Sequence, residues 1–406
     1  MDKPVFKGKV VIVNRSDSRG GAAVVSYRLM RALRGIGVDA RMIVAERTVD
    51  DDNVALAGNA LLRKTAFLAE RLKIYINKGF DRENLFKVDI ANMGVDIDRQ
   101  HPWIKEADIV CLNWINQGFV SLKEIERLAR QGKKIVWTMH DMWNMVGACH
   151  HAGECREYHA DCGKCPFTRL AVSTFHRKKR LYSNADISFV AVSRWLAERG
   201  KESALLRDAD IRVIPNAFPV SDYDFRRIAN TNDCPTIIFG AARLDDPIKG
   251  LDCAIDSFNI LADRKVNARA LLFGDIRNLQ LLDRICLPYE YVGRVPLGEV
   301  ATLYRRADIV LSTSLYETLP GTIVEGMASG CVPVTFDSGG QTDIFEHGIT
   351  GFIADYLNAE SVADRIEDAI KCSISRQLLH EEVERRFAAE KVAQRYADLF
   401  AEKMLK

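Results

Sequence analysis

Short runs of apolar, often β-branched residues alternate along most of this chain with segments whose apolar residues recur at helical spacing. Such alternation predicts parallel sheets covered by helices on both faces. Before Pro215 the predicted strands are Lys9–Asn14, Ala40–Val44, Asp108–Asn113, Lys134–Met139, Phe189–Val192 and Ile211–Ile214. After the polar stretch Pro219–Cys234 they are Thr236–Gly240, Ala268–Gly274, Tyr289–Gly293, Asp308–Ser312 and Val332–Phe336. The pattern predicts an α/β protein with two doubly wound parallel-sheet domains.

The domain boundaries follow from where the two sets of strands begin and end. Residues 1–215 form the first predicted domain, residues 216–376 the second, and residues 377–406 a helix that packs across both. Ligands of open parallel sheets bind beyond the carboxyl ends of the strands. The expected active site is therefore the cleft between the domains.

The composition indicates which kind of partner and which cellular compartment to expect. Lysine and arginine number 57 against 55 aspartates and glutamates, so no global field favours nucleic acid and a small partner is expected. The apolar run Val10–Val13 is too short for a signal-peptide core, and no stretch is long enough to span a membrane. We expect a cytoplasmic protein, and its 10 cysteines do not suggest a secreted disulfide framework.

Two segments at strand ends could bind phosphate. Gly20 and Gly21 lie between the first strand and a helical run, where free N–H groups and the helix dipole favour an anion. Arg243 ends the strand that begins the second domain, and Lys249 precedes the next helix, so two cations could neutralise a diphosphate. The alternatives are a plain tight turn at the glycines and solvated surface charges at the cations.

The segment from Ser314 to Gly330 carries two glutamates, eight positions apart, before the apolar strand Val332–Phe336. Glu317 lies before a predicted helix with free N-terminal N–H groups, and Glu325 lies on that otherwise apolar helix. A carboxylate in such surroundings requires a polar ligand or a buried partner. The alternative is a capping glutamate followed by a surface glutamate.

This E-x7-E segment, followed by glycine and a Val-Pro-Val strand, resembles the signature of retaining GT-B glycosyltransferases of family 4. The resemblance extends over most of the chain, and Trp143–Pro166 is similar to transferases of the bacterial capsule and colanic-acid type. The further matching residues are Gly20-Gly21, Trp137 to Asp141, Val192-Ser193, Ile214 to Asn216, Arg243, Lys249, Gly274, Ser338 to Gly340 and His347-Gly348.

The resemblance implies a role for each matching residue. Glu325 would bind the ribose hydroxyls of a nucleotide sugar, and Glu317 a hydroxyl of the donor sugar. Arg243 and Lys249 would neutralise the diphosphate, with Gly20 and Gly21 closing on it from the other domain. His140 would contact the donor sugar, although an isolated histidine is more often structural. The family uses no catalytic metal, and we assign none.

Pro320 departs from the family pattern, because many relatives have glycine near this position and proline has no N–H group to donate. The backbone donors would then be Leu319, Gly321 and Thr322. Gly321 also stands where a larger residue is common, so the identity of the donor sugar is the property most affected.

Four cysteines are clustered directly after His140: Cys149, Cys155, Cys162 and Cys165. The last two form a Cys-Gly-Lys-Cys knuckle that suits tetrahedral zinc with thiolate ligands. His150, His151 or His159 could replace one of the cysteines, and free or redox-labile thiols are the alternative. We expect a structural zinc ion that stiffens this loop.

Two further motifs have weaker interpretations. The basic run His176–Arg180 could touch anionic headgroups at the inner face of the cytoplasmic membrane, or be a solvated helix face. Acidic pairs at Asp96 and Asp98, Asp208 and Asp210, and Asp222 and Asp224 mimic the D-x-D metal site of another transferase fold, but none ends a convincing strand.

The expected function is retaining transfer of a hexose-type sugar from a nucleotide-diphosphate donor to a glycan or lipid-linked acceptor, in bacterial surface polysaccharide synthesis. A GT-B epimerase or phosphorylase would reuse the same donor site. A non-catalytic scaffold organised by the zinc loop would have no affinity for nucleotide diphosphates.

Overall fold

The computed structural model describes residues 6–80, 82, 85–228 and 234–405. The predicted polar stretch Pro219–Cys234 therefore lies partly outside the described residues. The chain divides into two compact units: Met1–Ala217 with Ala389–Lys406, and Phe218–Ala388. We call them the first and the second unit.

The first unit is built on a parallel sheet with the strand order β3-β2-β1-β4-β5-β6-β7. Its strands are β1 Lys9–Val13, β2 Asp39–Val44, β3 Val54–Leu56, β4 Ile109–Leu112, β5 Lys134–Met139, β6 Ile187–Ala191 and β7 Ile211–Val213. Its helices are α1 Gly21–Gly35, α2 Ala60–Asn77, α3 Ile97–Gln100, α4 Pro102–Glu106, α5 Leu122–Arg130, α6 Leu170–Asn184 and α7 Arg194–Glu202.

The second unit has a parallel sheet with the order β10-β9-β8-β11-β12-β13. Its strands are β8 Thr236–Arg243, β9 Arg269–Asp275, β10 Tyr289–Gly293, β11 Ile309–Ser312, β12 Val332–Phe336 and β13 Phe352–Ala354. Its helices are α8 Leu251–Asp263, α9 Val300–Tyr304, α10 Gly321–Ala328, α11 Ala359–Lys371 and α12 Arg376–Phe387. Two parallel α/β sheets confirm the predicted fold class.

Continuous apolar runs explain why the central strands were predictable. In β4, β6, β11 and β12 every residue is buried, as expected for parallel strands covered on both faces. The short edge strands β3 and β13 were missed. With three residues each, they are too short to show a periodic pattern.

The C-terminal segment differs from the single helix predicted from Gln377 to Leu405. It forms two helices, α12 in the second unit and α13 Ala389–Leu405 in the first. Ala388, between them, has an extended conformation, with φ −53° and ψ 135°. The N–H of Phe218 donates to the carbonyl of Phe387 at 2.9 Å, so the break coincides with the residue at which the chain enters the second unit.

Helix α13 completes the core of the first unit. Val392, Tyr396 and Phe400 are buried in one apolar cluster with Leu29 and Leu33 of α1. The hydroxyl groups of Tyr396 and Thr138 of β5 lie 3.0 Å apart. Among the described residues, none of the helices is both long and apolar enough to cross a bilayer.

Candidate functional site

In the sheet of the second unit, the direction in which successive strands are added reverses between β8 and β11. The chain runs from β8 outward to β9 and β10, and then returns to place β11 on the other side of β8. The loops that follow β8 and β11 consequently diverge at the carboxyl edge of the sheet. This is the point at which open parallel sheets bind ligands.

Backbone contacts hold these two loops together. The N–H of Leu315 donates to the carbonyl of Ile248 at 2.7 Å, and the hydroxyl of Thr313 donates to the carbonyl of Gly250 at 2.9 Å. Gly250 has φ 66°, and a Cβ atom on it would lie 2.1 Å from the carbonyl oxygen of Thr313. Only glycine fits this close approach, which fixes the position of Lys249 immediately before it.

Lys249 and Glu317, separated by 68 positions, meet at this edge of the sheet. The Nζ atom of Lys249 lies 2.6 Å from Oε1 of Glu317, and the two side chains are 30% and 19% exposed. The backbone of Glu317 is held by the N–H of Gly340, which donates to its carbonyl at 2.8 Å. Gly339 has φ 143°, and a Cβ atom there would lie 2.2 Å from that carbonyl oxygen.

Arg243, at the end of β8, is placed beside two carboxylates. Its Nε atom lies 3.4 Å from Oδ1 of Asp245, and Nη2 lies 3.3 Å from Oδ2 of Asp246. Asp245 also accepts from the N–H groups of Arg277 and Asn278 at 3.0 and 3.3 Å. An anionic ligand would therefore compete with acidic side chains for Arg243, as it would with Glu317 for Lys249.

Helix α10 begins directly after Pro320, which makes no side-chain cap. Gly321 and Thr322 occupy the first two helical positions, whose N–H groups have no acceptor within the helix. Leu319, the third predicted donor, lies before the helix and is buried. Glu325 is half-buried one turn into α10.

Tyr304 is buried close enough to Glu325 to be influenced by its charge. Burial, with a further contribution from Glu325, raises the pKa of Tyr304 well above its usual value. No protein group hydrogen-bonds the Tyr304 hydroxyl within the described part of the chain. The described structure thus places a buried phenol beside the predicted ribose-binding carboxylate.

The predicted residues of the first unit lie at the carboxyl ends of β1 and β5. Gly20, with φ 94°, is the N-cap of α1, and a Cβ atom on Gly20 or Gly21 would meet no atom within 4 Å. His140 follows β5, and its Nε2 atom lies 2.8 Å from Oδ1 of Asn113. Burial lowers the pKa of His140 to about 4, so the imidazole is neutral at physiological pH.

A buried charged network next to His140 was missed by the sequence analysis. The ring nitrogens of His150 each lie 2.7 Å from a carboxylate, Nδ1 from Asp141 and Nε2 from Asp89. Burial opposes the charge of His150, but Asp141 and Asp89 outweigh it and raise its pKa to about 10. Arg71 pairs with the other oxygen of Asp89. No local pattern signals this network, because Asp89 and His150 are 61 positions apart.

The four cysteines of the predicted zinc loop line one small cavity in the first unit. Cys149 and Cys162 are buried, and Cys155 and Cys165 are partly exposed. As the side chains stand, no group of three or more His, Cys, Asp or Glu residues in the described part of the chain is arranged to hold a metal ion. His150 is not a substitute ligand, because both of its ring nitrogens are bonded to carboxylates.

The predicted basic run on α6 is not a continuous charged face. Lys178 is fully buried, and Arg177 turns inward to donate to the carbonyl of Ile90 at 2.8 Å. His176, Lys179 and Arg180 remain exposed.

The D-x-D-like pairs contain side chains that are paired with arginines. Asp96 and Asp98 lie 3.4 and 3.6 Å from Arg127. Asp210 and Asp224 lie 2.9 Å from Arg212 and Arg226 respectively. These acids therefore serve in ion pairs, of which that of Asp98 is buried.

Two family models together cover most of the chain. Residues 19–222 match the model of "Glycosyltransferase Family 4", and residues 222–386 match that of "Glycosyl transferases group 1". The second match contains Arg243, Lys249, Glu317 and Glu325.

Curated relatives align with parts of this chain only. An uncharacterized glycosyltransferase, YqgM of Bacillus subtilis, is 27% identical over 31% of this chain and 36% of its own length. Mannosylfructose-phosphate synthase of Agrobacterium fabrum is 31% identical over 28% of each chain. The chain thus spans about a third of the length of these two relatives.

Solved structures resemble the whole fold at low sequence identity. Sucrose-phosphate synthase from Thermosynechococcus elongatus has a TM-score of 0.65 at 15% identity, covering 98% of this chain and 100% of its own. A glycosyltransferase from Rickettsia africae has a TM-score of 0.66 at 15% identity, covering 98% and 99%. Anabaena HepE, solved with UDP and glucose, has a TM-score of 0.61 at 15% identity, covering 97% and 99%. These similarities confirm the predicted GT-B fold.

Proposed function

We propose that this chain, which belongs to Glycosyltransferase Family 4, transfers a sugar from a nucleotide-diphosphate donor bound by its second unit. The observation that carries the proposal is the Lys249–Glu317 pair at the β8–β11 switch point, beside the N-terminus of α10. The pair places a cation for phosphate and a carboxylate for sugar hydroxyls side by side. The structural similarity to Anabaena HepE, which was solved with UDP, supports a nucleotide sugar as the donor.

The proposed mechanism stabilises the leaving group. Negative charge grows on the departing nucleotide diphosphate, and Lys249, Arg243 and the N–H groups of Gly321 and Thr322 are the groups that offset it. Glu325 accepts hydrogen bonds from the ribose, and Glu317 from the sugar. Water exclusion by closure around the donor favours transfer over hydrolysis. In the first unit, Gly20, Gly21 and His140 stay our predicted donor contacts.

We propose that the sugar is hexose-type and keeps its anomeric configuration. The acceptor hydroxyl then attacks the same face of an oxocarbenium-like sugar that the diphosphate leaves, so no side-chain nucleophile is required. Cationic side chains and helix N-termini do what a metal ion does in other transferases, and the reaction needs no catalytic metal. The acceptor is a glycan or lipid-linked oligosaccharide of a bacterial capsule or exopolysaccharide, as the resemblance of Trp143–Pro166 implies.

Nucleotide affinity tests the donor site directly. A thermal-shift panel of UDP, GDP and ADP sugars first identifies the base, because a ligand of the folded state raises Tm. We expect Lys249→Ala to weaken calorimetric binding of that nucleoside diphosphate by about tenfold or more, since a charged hydrogen bond is lost.

Lys371→Ala is the matched control, because it also removes one lysine from an ion pair of the second unit, 2.9 Å from Glu367. It should bind like the wild type. Equal affinities of the two variants would contradict the proposed site. Glu325→Ala should lower transfer severely while leaving the fold intact.

The products separate transfer from the alternative reactions of the same donor site. An epimerase converts the nucleotide sugar without any acceptor, and a phosphorylase requires inorganic phosphate as acceptor. A scaffold binds no nucleotide at all. Release of nucleoside diphosphate that depends on a glycan acceptor, with an unchanged anomeric configuration in the product, is the outcome we expect.

We also propose that the protein acts at the inner face of the cytoplasmic membrane. Supporting this, Leu61, Leu68, Leu72 and Ile76 of α2 are exposed, at 69%, 51%, 57% and 51%. Lys64 of the same helix is exposed, and Lys179 and Arg180 of α6 are exposed cations as well. Apolar and basic side chains together favour anionic bilayers.

Vesicle flotation measures this association. The wild type should float with anionic vesicles at low salt, and Leu72→Glu should reduce the bound fraction. Leu405→Glu, which adds the same charge at a position that is 89% exposed, is the control and should bind normally. A wild type that stays at the bottom of the gradient would exclude this location.

A further inference from the structure

The cysteine loop, residues 146–167 of the first unit, encloses a cavity that the donor site does not use. All four clustered cysteines line it, together with apolar groups that include Ala148, Tyr158 and Phe167. These cysteines come from positions up to 16 residues apart, and the fold brings them around one space. Four sulfur donors around one cavity are the ligand set of a structural zinc site.

Backbone hydrogen bonds order the loop around its cysteines, and one N–H group of the loop donates to a cysteine sulfur. Cys162 has the left-handed conformation, with φ 61°, at the start of the Cys-Gly-Lys-Cys turn. The N–H of Gly147 donates to the Sγ atom of Cys162 at 3.1 Å. The N–H of Cys162 donates to the carbonyl of Glu157 at 3.0 Å, and that of Cys155 to the carbonyl of Ala152 at 2.9 Å. N–H donors to sulfur orient metal-binding thiolates and lower the cost of their charge.

A buried lysine beside the loop provides an independent observation. Lys178 of α6 is fully buried, and its Nζ atom donates to two neutral groups, the carbonyls of Trp143 and, at 2.9 Å, of Val146. The same atom lies 3.4 Å from the centre of the Trp143 ring. Burial lowers the pKa of Lys178 well below its usual value, and Cys149, Cys162 and Asp141 act in the opposite direction. A zinc ion with four thiolates carries net negative charge, which would offset the cost of burying this amine in its charged form.

We propose that this loop binds one zinc ion through Cys149, Cys155, Cys162 and Cys165, which line the same cavity. Sulfur donors select zinc over the oxygen-seeking cations magnesium and calcium. The sulfurs are not in coordination geometry in this structure, so binding requires the cysteine side chains around the cavity to move closer together. Four protein ligands leave no open coordination position, and the site is structural.

The zinc ion would stabilise the loop that supports the charged network near His140. The N–H of Asp89 donates to the carbonyl of Ala148 at 2.9 Å, and the N–H of His150 to that of Lys87 at 3.2 Å. These contacts connect the cysteine loop to Asp89 and to His150. Loss of the metal is therefore expected to lower the stability of the first unit, with donor binding by the second unit as a separate property.

Metal analysis of the full chain tests the proposal. Elemental analysis after extensive dialysis should find about one zinc ion per chain. Cys165→Ser, at a partly exposed ligand position, should lose most of it. Cys286→Ser is the matched control, since Cys286 is an exposed cysteine of the second unit, and it should retain the metal. Reconstitution of the wild type with Co²⁺ should give the thiolate-to-metal absorption of a tetrahedral sulfur site. The same treatment of Cys165→Ser should not.

A second measurement does not depend on folding of the variants. In the native wild type, a thiol reagent should reach the four cluster cysteines only after a chelator is added, which peptide mapping can follow. The proposal would be overturned if wild-type protein from cells grown with added zinc contained no metal. It would also be overturned if the cluster cysteines were joined in disulfides. Equal zinc contents of Cys165→Ser and wild type would also overturn it.

Discussion

His140 illustrates how one side chain depends on its strand end. Asn113, after β4, accepts at Oδ1, because its Nδ2 group donates to the carbonyl of Cys111 at 3.3 Å. The Nε2 atom of His140 is therefore the protonated nitrogen of a neutral ring, and Nδ1 carries the lone pair. The low pKa of about 4 keeps this tautomer available over the whole physiological range.

The pKa of His140 predicts a specific dependence of stability on pH. Its folded value of about 4 lies below the ordinary value of 6.5, so below pH 6.5 the unfolded chain binds a proton that the native chain does not. Stability is lost as pH falls from 6.5 towards 4. Between pH 7 and pH 5 the loss from this residue is about 2 kcal/mol.

Urea denaturation of the wild type and of His140→Gln measures this contribution. The variant cannot titrate at this position, so the difference in unfolding free energy between the two proteins should change by about 2 kcal/mol from pH 7 to pH 5. A difference that stays constant between these pH values would contradict a neutral, half-buried His140.

At the scale of elements, the N-terminus of α10 is the part of the proposed donor site whose position in the fold the sequence predicted best. The departure at Pro320 predicted Leu319, Gly321 and Thr322 as donors, and the helix begins at Gly321, after Leu319. Pro320 has an extended conformation with ψ 117°, which is compatible with a proline after it. Gly321→Pro would therefore remove one N–H group without breaking the helix.

Comparison with Gly321→Ala isolates that N–H group. A Cβ atom at position 321 would make an ordinary 3.5 Å contact with Phe218, so both variants should fold. We expect Gly321→Pro to bind UDP roughly tenfold more weakly than Gly321→Ala, because a hydrogen bond to a charged group is lost. Calorimetry uses UDP without a sugar, so the side-chain atoms added at position 321 cannot act through contacts to the sugar. Equal affinities of the two variants for UDP would mean that the phosphates bind elsewhere.

Element boundaries were less accessible to sequence than element types. The apolar spacing from Leu378 to Phe400 continues through Ala388, and alanine gives no local stop signal. The break is stabilised by a hydrogen bond between Phe218 and Phe387, which are far apart in the chain. Such a tertiary contact leaves no trace in helical periodicity.

At the scale of the whole molecule, each unit has its own core, and α13 belongs to the first. The side chain of Phe400 is fully buried, and its ring lies 5.8 Å from that of Phe6 and 5.9 Å from that of Tyr396. Helix α13 is thus part of the first unit, although the whole second unit lies between α13 and the rest of the first unit in sequence.

Phe400→Ala tests this assignment. Truncating a buried phenylalanine should cost about 3–5 kcal/mol, while Leu405→Ala, at an 89% exposed position of the same helix, should cost little. Hydrogen exchange of Phe400→Ala should show a larger loss of protection, relative to the wild type, in β1, β4 and α1 than in β8 and β11. Equal loss of protection in both units would contradict the division.

The sequence by itself determined the local and the repetitive features of this protein. Strands β5 and β12 have the predicted bounds, since buried parallel strands are continuous apolar runs. The edge strand β10 also has the predicted bounds, although none of its residues is fully buried. The predicted glutamates and cations fall at the carboxyl edge of the second sheet, because strand order and connection handedness follow from strand-helix alternation.

Only the tertiary structure decided which distant side chains meet. It paired Lys249 with Glu317 and enclosed His150 between Asp89 and Asp141. It also buried Lys178, one of the basic residues of the run His176–Arg180. These contacts depend on how loops fold over a sheet edge, and charged residues in loops show no periodicity that records their partners. The physical reason is that burial and pairing are set by long-range packing, whereas sequence patterns report the period of the local backbone.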